Sequence, residues 1–412
     1  MPSKASLENR KKIYQSLCYV LSDRASQVAW DEYTPADWDL FAQMADHEGV
    51  APLMYWKLKD SPVQVPPSTF NLLRSTYYQT LAQNTLMYQE LERILKALDE
   101  ARIEAIVLKG AALAATVYED IGLRPMGDLD LLVKREQIEA SVNILESMGY
   151  FTPHRHVTDL LDWNLTHHIN LQEVESNKVS IELHWNLISG DADWRTPPID
   201  WFWEQAGRIV FPVEQRSLEE SFLRDRISHV LTADPIRSMI TFSPTAHLLY
   251  LSAHAMLHHG GSEARLLWFY DLHLIVSNPE YDLDWNAMVE RALEYQWTPA
   301  LLAGLNRSKT LFGSIIPEGT YASLLEAESL SPQARQLVQR KDSEKATLAM
   351  NDFGRMLSLE KWERVRFAIA IVLPSRAYIH WRYNPKPTWI WPLCYLYRWF
   401  RMLREAIKTL KI

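Results

Sequence analysis

From Phe70 to about Asp99, apolar side chains return every three or four residues, at Leu73, Tyr77, Leu81, Leu86, Leu91, Ile94, Leu95 and Leu98. That period lays them along one stripe and predicts an amphipathic helix. Upstream, Thr34-Pro35 supplies a cap and a first-turn proline for a helix that Gly49 closes, and the helical pattern resumes over Tyr55 to Lys59. The first hundred residues therefore read as a helical lead-in.

The period then shortens. Ala105 to Leu108 is a brief apolar run ending at Lys109-Gly110, and the helix-compatible stretch AALAATVYED follows, which predicts a strand, a tight turn and a helix. Gly122 to Gly127 reads as a loop, Asp128 to Val133 as an alternating strand, and Glu136 to Met148 as a helix with Gly149 at its end. Two more strands are predicted at His168 to Gln172 and Val179 to Trp185. Beyond about residue 215 helices return: Ser243-Pro244 opens one that Gly260-Gly261 ends, and Ser331-Pro332 opens another. The pattern predicts an α+β fold, with a small mixed sheet and helices between helical regions at both ends. The expected divisions are 1–100, 101–215, 216–374 and 375–412.

Composition narrows the class. A chain of 412 residues, 47% of them hydrophobic, can bury a sizeable core without staples. Two cysteines, Cys18 and Cys394, form neither a disulfide framework nor a zinc-thiolate pattern, which fits a reducing compartment. No apolar run follows the charges of MPSKASLENRKK, and stretches such as Trp389 to Tyr397 are shorter than the ~20 residues of a spanning helix. A cytoplasmic location is expected.

Charge is unevenly placed. From Ser375 onward there are eight Lys or Arg and one acid, a local +7 that leaves −15 for the rest of a chain totalling −8. So acidic a body disfavours binding to long nucleic acid, because phosphates would be repelled. The basic tail places Leu393, Leu396, Phe400, Leu403, Ile407 and Leu410 on one stripe, with Arg398, Arg401, Arg404, Lys408 and Lys411 mostly outside it. Such a helix suits either peripheral binding to an anionic membrane surface or docking on the protein's own core.

Chemistry concentrates in two segments. In GDLDLLV, a strand points Asp128 and Asp130 to one face and Leu129, Leu131 and Val133 to the other. In VSIELHW the same alternation places Ser180, Glu182 and His184 opposite Val179, Ile181 and Leu183. If the strands are neighbours, three carboxylates converge, a donor set suited to Mg²⁺ with Mn²⁺ as the alternative ion. Removing one of the paired charges, as in Asp128→Asn or Asp130→Asn, should then leave the metal-free fold unharmed or more stable.

Around this set, Lys109 and Gly110 end a strand where backbone N–H groups of Gly110, Ala111 and Ala112 open a helix, a favourable place for phosphate. Arg124, on the loop before Asp128, is placed to reach an anion at the mouth of the site. His184 shares the face of Glu182 and either handles an acceptor's proton or orients the carboxylates. His254 and His258, at i and i+4 beside His259, have zinc-like spacing, but no third ligand follows at an informative distance. Ordinary helix-end histidines are the expectation there, as at His167-His168 and at His154 and His156. Arg265 and Asp271 are expected to form a buried ion pair tying their helix to the core.

The runs VLKGAALAATVYEDIGLRPMGDLDLLV and VSIELHWNL resemble the uncharacterised nucleotidyltransferase-like family of the DNA polymerase beta superfamily. There a helix-opening glycine motif precedes an acid-x-acid strand and a later strand adds a third acid, positions matched by Gly110, Asp128, Asp130 and Glu182. The resemblance implies Mg²⁺-dependent transfer of a nucleoside monophosphate from a nucleoside triphosphate such as ATP to an unidentified acceptor hydroxyl, with release of pyrophosphate. It assigns Asp128, Asp130 and Glu182 to metal, and Lys109, Gly110, Ala111 and Arg124 to nucleotide. Superfamily members commonly carry a serine just after the motif glycine. Ala111 and Ala112 offer no hydroxyl, which leaves triphosphate binding to backbone groups, Lys109 and metal. The alternative is an inactive nucleotide-binding or membrane-associated adaptor of the same fold.

Overall fold

The computed structural model describes residues 4–152, 167–173, 179–188, 198–210, 238–261, 264–329 and 385–410, with isolated positions between 335 and 383. It is an α+β fold with helical flanks and a mixed sheet. Seven strands form that sheet: β1 (Ile106–Val107), β2 (Leu129–Leu132), β3 (Tyr150–Phe151), β4 (His168–Glu173), β5 (Ser180–His184), β6 (Ala206–Val210) and β7 (Ser238–Phe242), in the order β3-β4-β5-β2-β1-β7-β6.

Local signals act where the chemistry requires them. Thr34 caps helix Pro35–His47 in a reciprocal capping box with Asp37, which satisfies two of the N–H groups a helix start leaves open. The long stripe becomes helix Pro67–Glu100, burying Leu73, Tyr77, Leu81, Leu91, Ile94 and Leu98. Glu136 to Met148 resolves into a 3₁₀ turn followed by helix Ile138–Ser147, and Gly149 ends it at φ +99°. The helix start read at Ser331-Pro332 lies outside the described residues, as do His154 and His156.

Beyond the four predicted strands, β3 and β6 take edge positions and β7 lies inside the sheet, pairing parallel with β1 and antiparallel with β6. β2 pairs antiparallel with β1 and parallel with β5. One sheet face, carrying Leu129, Leu131, Val133, Ile181 and Leu183, packs with Ile94, Leu98 and Val142. On the other, Leu132 joins a second core with Leu108, Phe242 and Tyr250. The face that alternation marks as polar is thus covered as well, and Asp130 is only 2% exposed.

Candidate functional site

Register brings the acids together. Asp130 on β2 lies directly beside Glu182 on the parallel neighbour β5, and Leu132 lies beside His184. Across β5, antiparallel β4 sets Asn170 against Glu182 and His168 against His184. Since side chains two residues apart share a face, Asp130, Glu182, His184 and His168 rise from the same side of the sheet. Asp128 precedes β2 and is half-buried.

Lys109 opens helix Lys109–Thr116 with a left-handed backbone, φ +43°, immediately after β1. Its Nζ lies 2.7 Å from Asp130 Oδ1 and donates to Glu182 Oε2 at 3.5 Å. His184 is wholly buried, and its Nε2 lies 3.0 Å from the same Asp130 oxygen and 3.4 Å from Glu182 Oε2. A carboxylate can only accept, so Nε2 carries the proton. His184 Nδ1 is buried with no hydrogen-bond partner among the described residues.

The electrostatics follow from this crowding. Burial raises Asp128, and the charges of Asp130 and Glu182 add to it, pushing the carboxyl up to about 7. Burial also opposes ionisation of Glu182, but hydrogen bonding from His184 and the Lys109 charge outweigh it and hold the group far below the usual carboxylate range. For Lys109 burial favours the neutral amine, and the opposing Asp130 charge more than reverses that. His184 is raised despite burial because Asp130 and Glu182 both accept from it. His168 is lowered to about 4, chiefly by burial.

These residues fit a divalent ion. Asp130, Glu182 and His184 each offer a ligand atom, all within 4.8 Å of one another. Asp128, raised first by burial and then by the charges of Asp130 and Glu182, adds a third carboxyl beside them. The carboxylates suit Mg²⁺ or Mn²⁺, and His184, with its proton on Nε2, orients Asp130 for the ion.

Arg124 occupies a different place from a mouth-lining residue. It is buried at 5% exposure, donating from Nε and Nη2 to the two Asp271 oxygens at 3.0 and 2.8 Å, and Tyr118 adds a third bond to Asp271 at 2.6 Å. The ion pair expected between Arg265 and Asp271 does not form. Arg265 is exposed above Trp268, and Arg124 takes Asp271. Gly110 is what admits this arrangement, since a Cβ there would meet Arg124 Nη1 at 2.9 Å and Met126 at 3.3 Å. Ala111 is buried beside it.

A family model described as uncharacterised nucleotidyltransferase matches residues 34–313. The chain belongs to this family. The matched span runs from the Thr34 cap to Gly313, which ends helix Thr298–Phe312 in a left-handed conformation, and it includes all seven described strands. The reaction class that the family's description carries is nucleotidyl transfer. No curated protein and no solved structure matches the chain.

Two features of the candidate site escaped sequence reasoning. Helix Pro244–Ala253 brings fully buried Tyr250 near Lys109, whose charge partly offsets the rise that burial imposes on the phenol. Beyond it, the chain forms a π-helical turn, His254–His258, whose His258 ring packs 5.1 Å from that of His167. The adjacent pair His167-His168 was the available signal, because His168 falls opposite His184 once β4 and β5 pair.

Proposed function

We propose that this nucleotidyltransferase transfers a nucleoside monophosphate from a nucleoside triphosphate to an acceptor hydroxyl, releasing pyrophosphate, with a divalent ion held by Asp128, Asp130 and Glu182. The observation that carries the reading is the in-register pair Asp130 and Glu182, beside an Asp128 carboxyl raised to about 7 by burial and by their charge. Mg²⁺ or Mn²⁺ at such a set supplies charge neutralisation at the α-phosphate and acidifies the attacking hydroxyl. Lys109 serves as the cation of the site, pairing with the carboxylates and turning to phosphate when nucleotide enters. The helix start at Gly110 and Ala111 offers N–H groups to phosphate oxygens. Arg124 supports that turn from beneath through its Asp271 pair. His184 holds Asp130 in place through Nε2.

The second reading, an adaptor that binds nucleotide without turnover, draws on the same lysine. Its ammonium lies 2.7 Å from Asp130 and 3.5 Å from Glu182, where it competes with a metal. The test is to mix the full chain with each of the four nucleoside triphosphates and measure Mg²⁺-dependent binding and pyrophosphate release in the presence of candidate acceptors. Release in wild type that disappears in Asp130→Asn supports the enzyme. Binding without release across acceptor classes supports the adaptor, and no binding of any triphosphate overturns both.

The C-terminal helix Trp391–Leu410 carries a further part of this proposal, contact with an anionic membrane surface. Leu393, Leu396 and Phe400 are exposed, as are Arg401 and Arg404. Among the described residues no helix is long and apolar enough to cross a membrane. Co-sedimentation with anionic but not neutral vesicles is the expected result, and equal binding to both removes the idea.

A further inference from the structure

His254, His258 and His259 converge at one end of a helix. Their ligand nitrogens all lie within 4.8 Å of one another, and their ring centroids are 4.6 to 5.4 Å apart. The backbone explains the convergence. An α-helix returns the fifth residue to the face of the first but carries the sixth past it. Here the turn is π-helical, closed by a hydrogen bond from His259 N to His254 O. The wider turn brings both the fifth and the sixth residue back beside the first. Three imidazoles from six consecutive residues therefore share one direction, with His254 buried and the other two half-buried and within reach of solvent.

We propose that His254, His258 and His259 form a second cation site, selective for a borderline-soft divalent ion of the Zn²⁺ class. Imidazole nitrogens favour such ions over Mg²⁺, which prefers oxygen, so this site and the carboxylate set select different metals. Three protein ligands leave the fourth tetrahedral position open to water or a substrate group. The Trp268 ring, 4.6 Å from His259 and 5.6 Å from His254, forms an apolar wall. His167 packs on His258 at 5.1 Å and on His184 at 5.5 Å, so the ion is linked through one intervening ring to the group that holds Asp130. An ion here fastens the π-turn in the geometry that places His258 against His167, and it buttresses the carboxylate face from the side.

The test uses the full chain, stripped with chelator and dialysed, titrated with Zn²⁺ against a competing chelator, with Co²⁺ as a spectroscopic probe. One tight Zn²⁺ equivalent is expected, undisturbed by excess Mg²⁺ and unchanged in Glu182→Gln. Co²⁺ should give the visible absorption of a nitrogen-rich, low-coordinate ion. His258→Gln and His259→Gln should each weaken Zn²⁺ by at least about 10-fold. Half-buried His259 provides the variant least prone to misfold, and circular dichroism of the metal-free proteins checks that each variant is folded. Absence of Zn²⁺ binding, or equal affinity in wild type and folded His259→Gln, overturns the proposal. So does binding lost in Glu182→Gln but kept in His258→Gln, which would place the ion at the carboxylates. Binding abolished by His168→Gln and kept in both triad variants would assign it to the His167, His168 and His184 group, and also overturns it.

Discussion

Replacing Asp128 with Asn should stabilise the metal-free protein at alkaline pH, and the gain should vanish in acid. The folded carboxyl is raised from 3.8 to about 7, first by burial and then by Asp130 and Glu182. The folded chain therefore keeps a proton that the unfolded chain releases between about pH 4 and pH 7. Across that window the wild type loses stability as pH rises; below it there is no penalty, and above it the penalty is complete. The displacement corresponds to an upper limit of about 4 kcal/mol, since each tenfold step is about 1.4 kcal/mol and relaxation of the neighbours reduces it. Asn keeps the shape and carries no charge, so Asp128→Asn should melt several degrees above wild type in EDTA at pH 8, taking about 2 °C per kcal/mol or less for a chain of this length. Near pH 4 the two should melt together. Mg²⁺ should reverse the order by raising the wild type alone, because the ion favours the ionised carboxylate. Melting curves by circular dichroism across pH, with and without Mg²⁺, provide the assay. A gap that does not change with pH, or a mutant that melts lower in EDTA at pH 8, would refute the electrostatic account of Asp128.

Asp130→Asn should behave oppositely, destabilising the metal-free chain by about 3 kcal/mol, the low end for breaking a buried pair, because Lys109 then keeps only the 3.5 Å contact to Glu182. Denaturant melts in EDTA read this directly, and equal stability would show that Lys109 finds water instead. Asp271→Asn should cost about 3 to 5 kcal/mol by leaving the Arg124 guanidinium buried without a counter-charge, and Arg124→Lys should not be tolerated better than Arg124→Leu, since an ammonium cannot reproduce the two-point contact. Gly110→Ala should lower stability by about 1 to 3 kcal/mol, as its Cβ would meet Arg124 Nη1 at 2.9 Å; an unchanged melting temperature would mean the guanidinium shifts freely.

The split between the two aspartates corrects an expectation drawn from spacing alone. Two acids on one strand face look equivalent in GDLDLLV, and either charge then seems dispensable without metal. In the fold, Lys109 and His184 both reach Asp130 Oδ1, while Asp128 stays raised by burial and by its neighbours' charge. Compensation from residues 21 positions upstream and 54 downstream of Asp130 is a matter of packing, and no local pattern encodes it.

Much of the architecture was legible because its cause is local. Thr34-Pro35 caps a helix wherever that helix lies, the stripe from Leu73 to Leu98 must find a core, and period-two alternation at 128–133 and 179–185 marks strands by the geometry of the pleat. The α+β class follows from those elements. Which strands pair does not, because parallel Asp130 and Glu182 are joined across more than fifty residues by packing energies that periodicity does not record. Strands β3, β6 and β7 were missed, and β7 still lies against β1 inside the sheet, since short strands draw their stability mainly from neighbours. Alternation identified the polar face, but the helix and π-turn covering it were decided in three dimensions, as was the choice of Arg124 as the partner of Asp271. The histidines make the distinction sharpest. Their one-dimensional spacing lacked a third ligand because it presumed an α-helix, and a single wider turn, a tertiary choice of backbone hydrogen bond, returns His259 to the group.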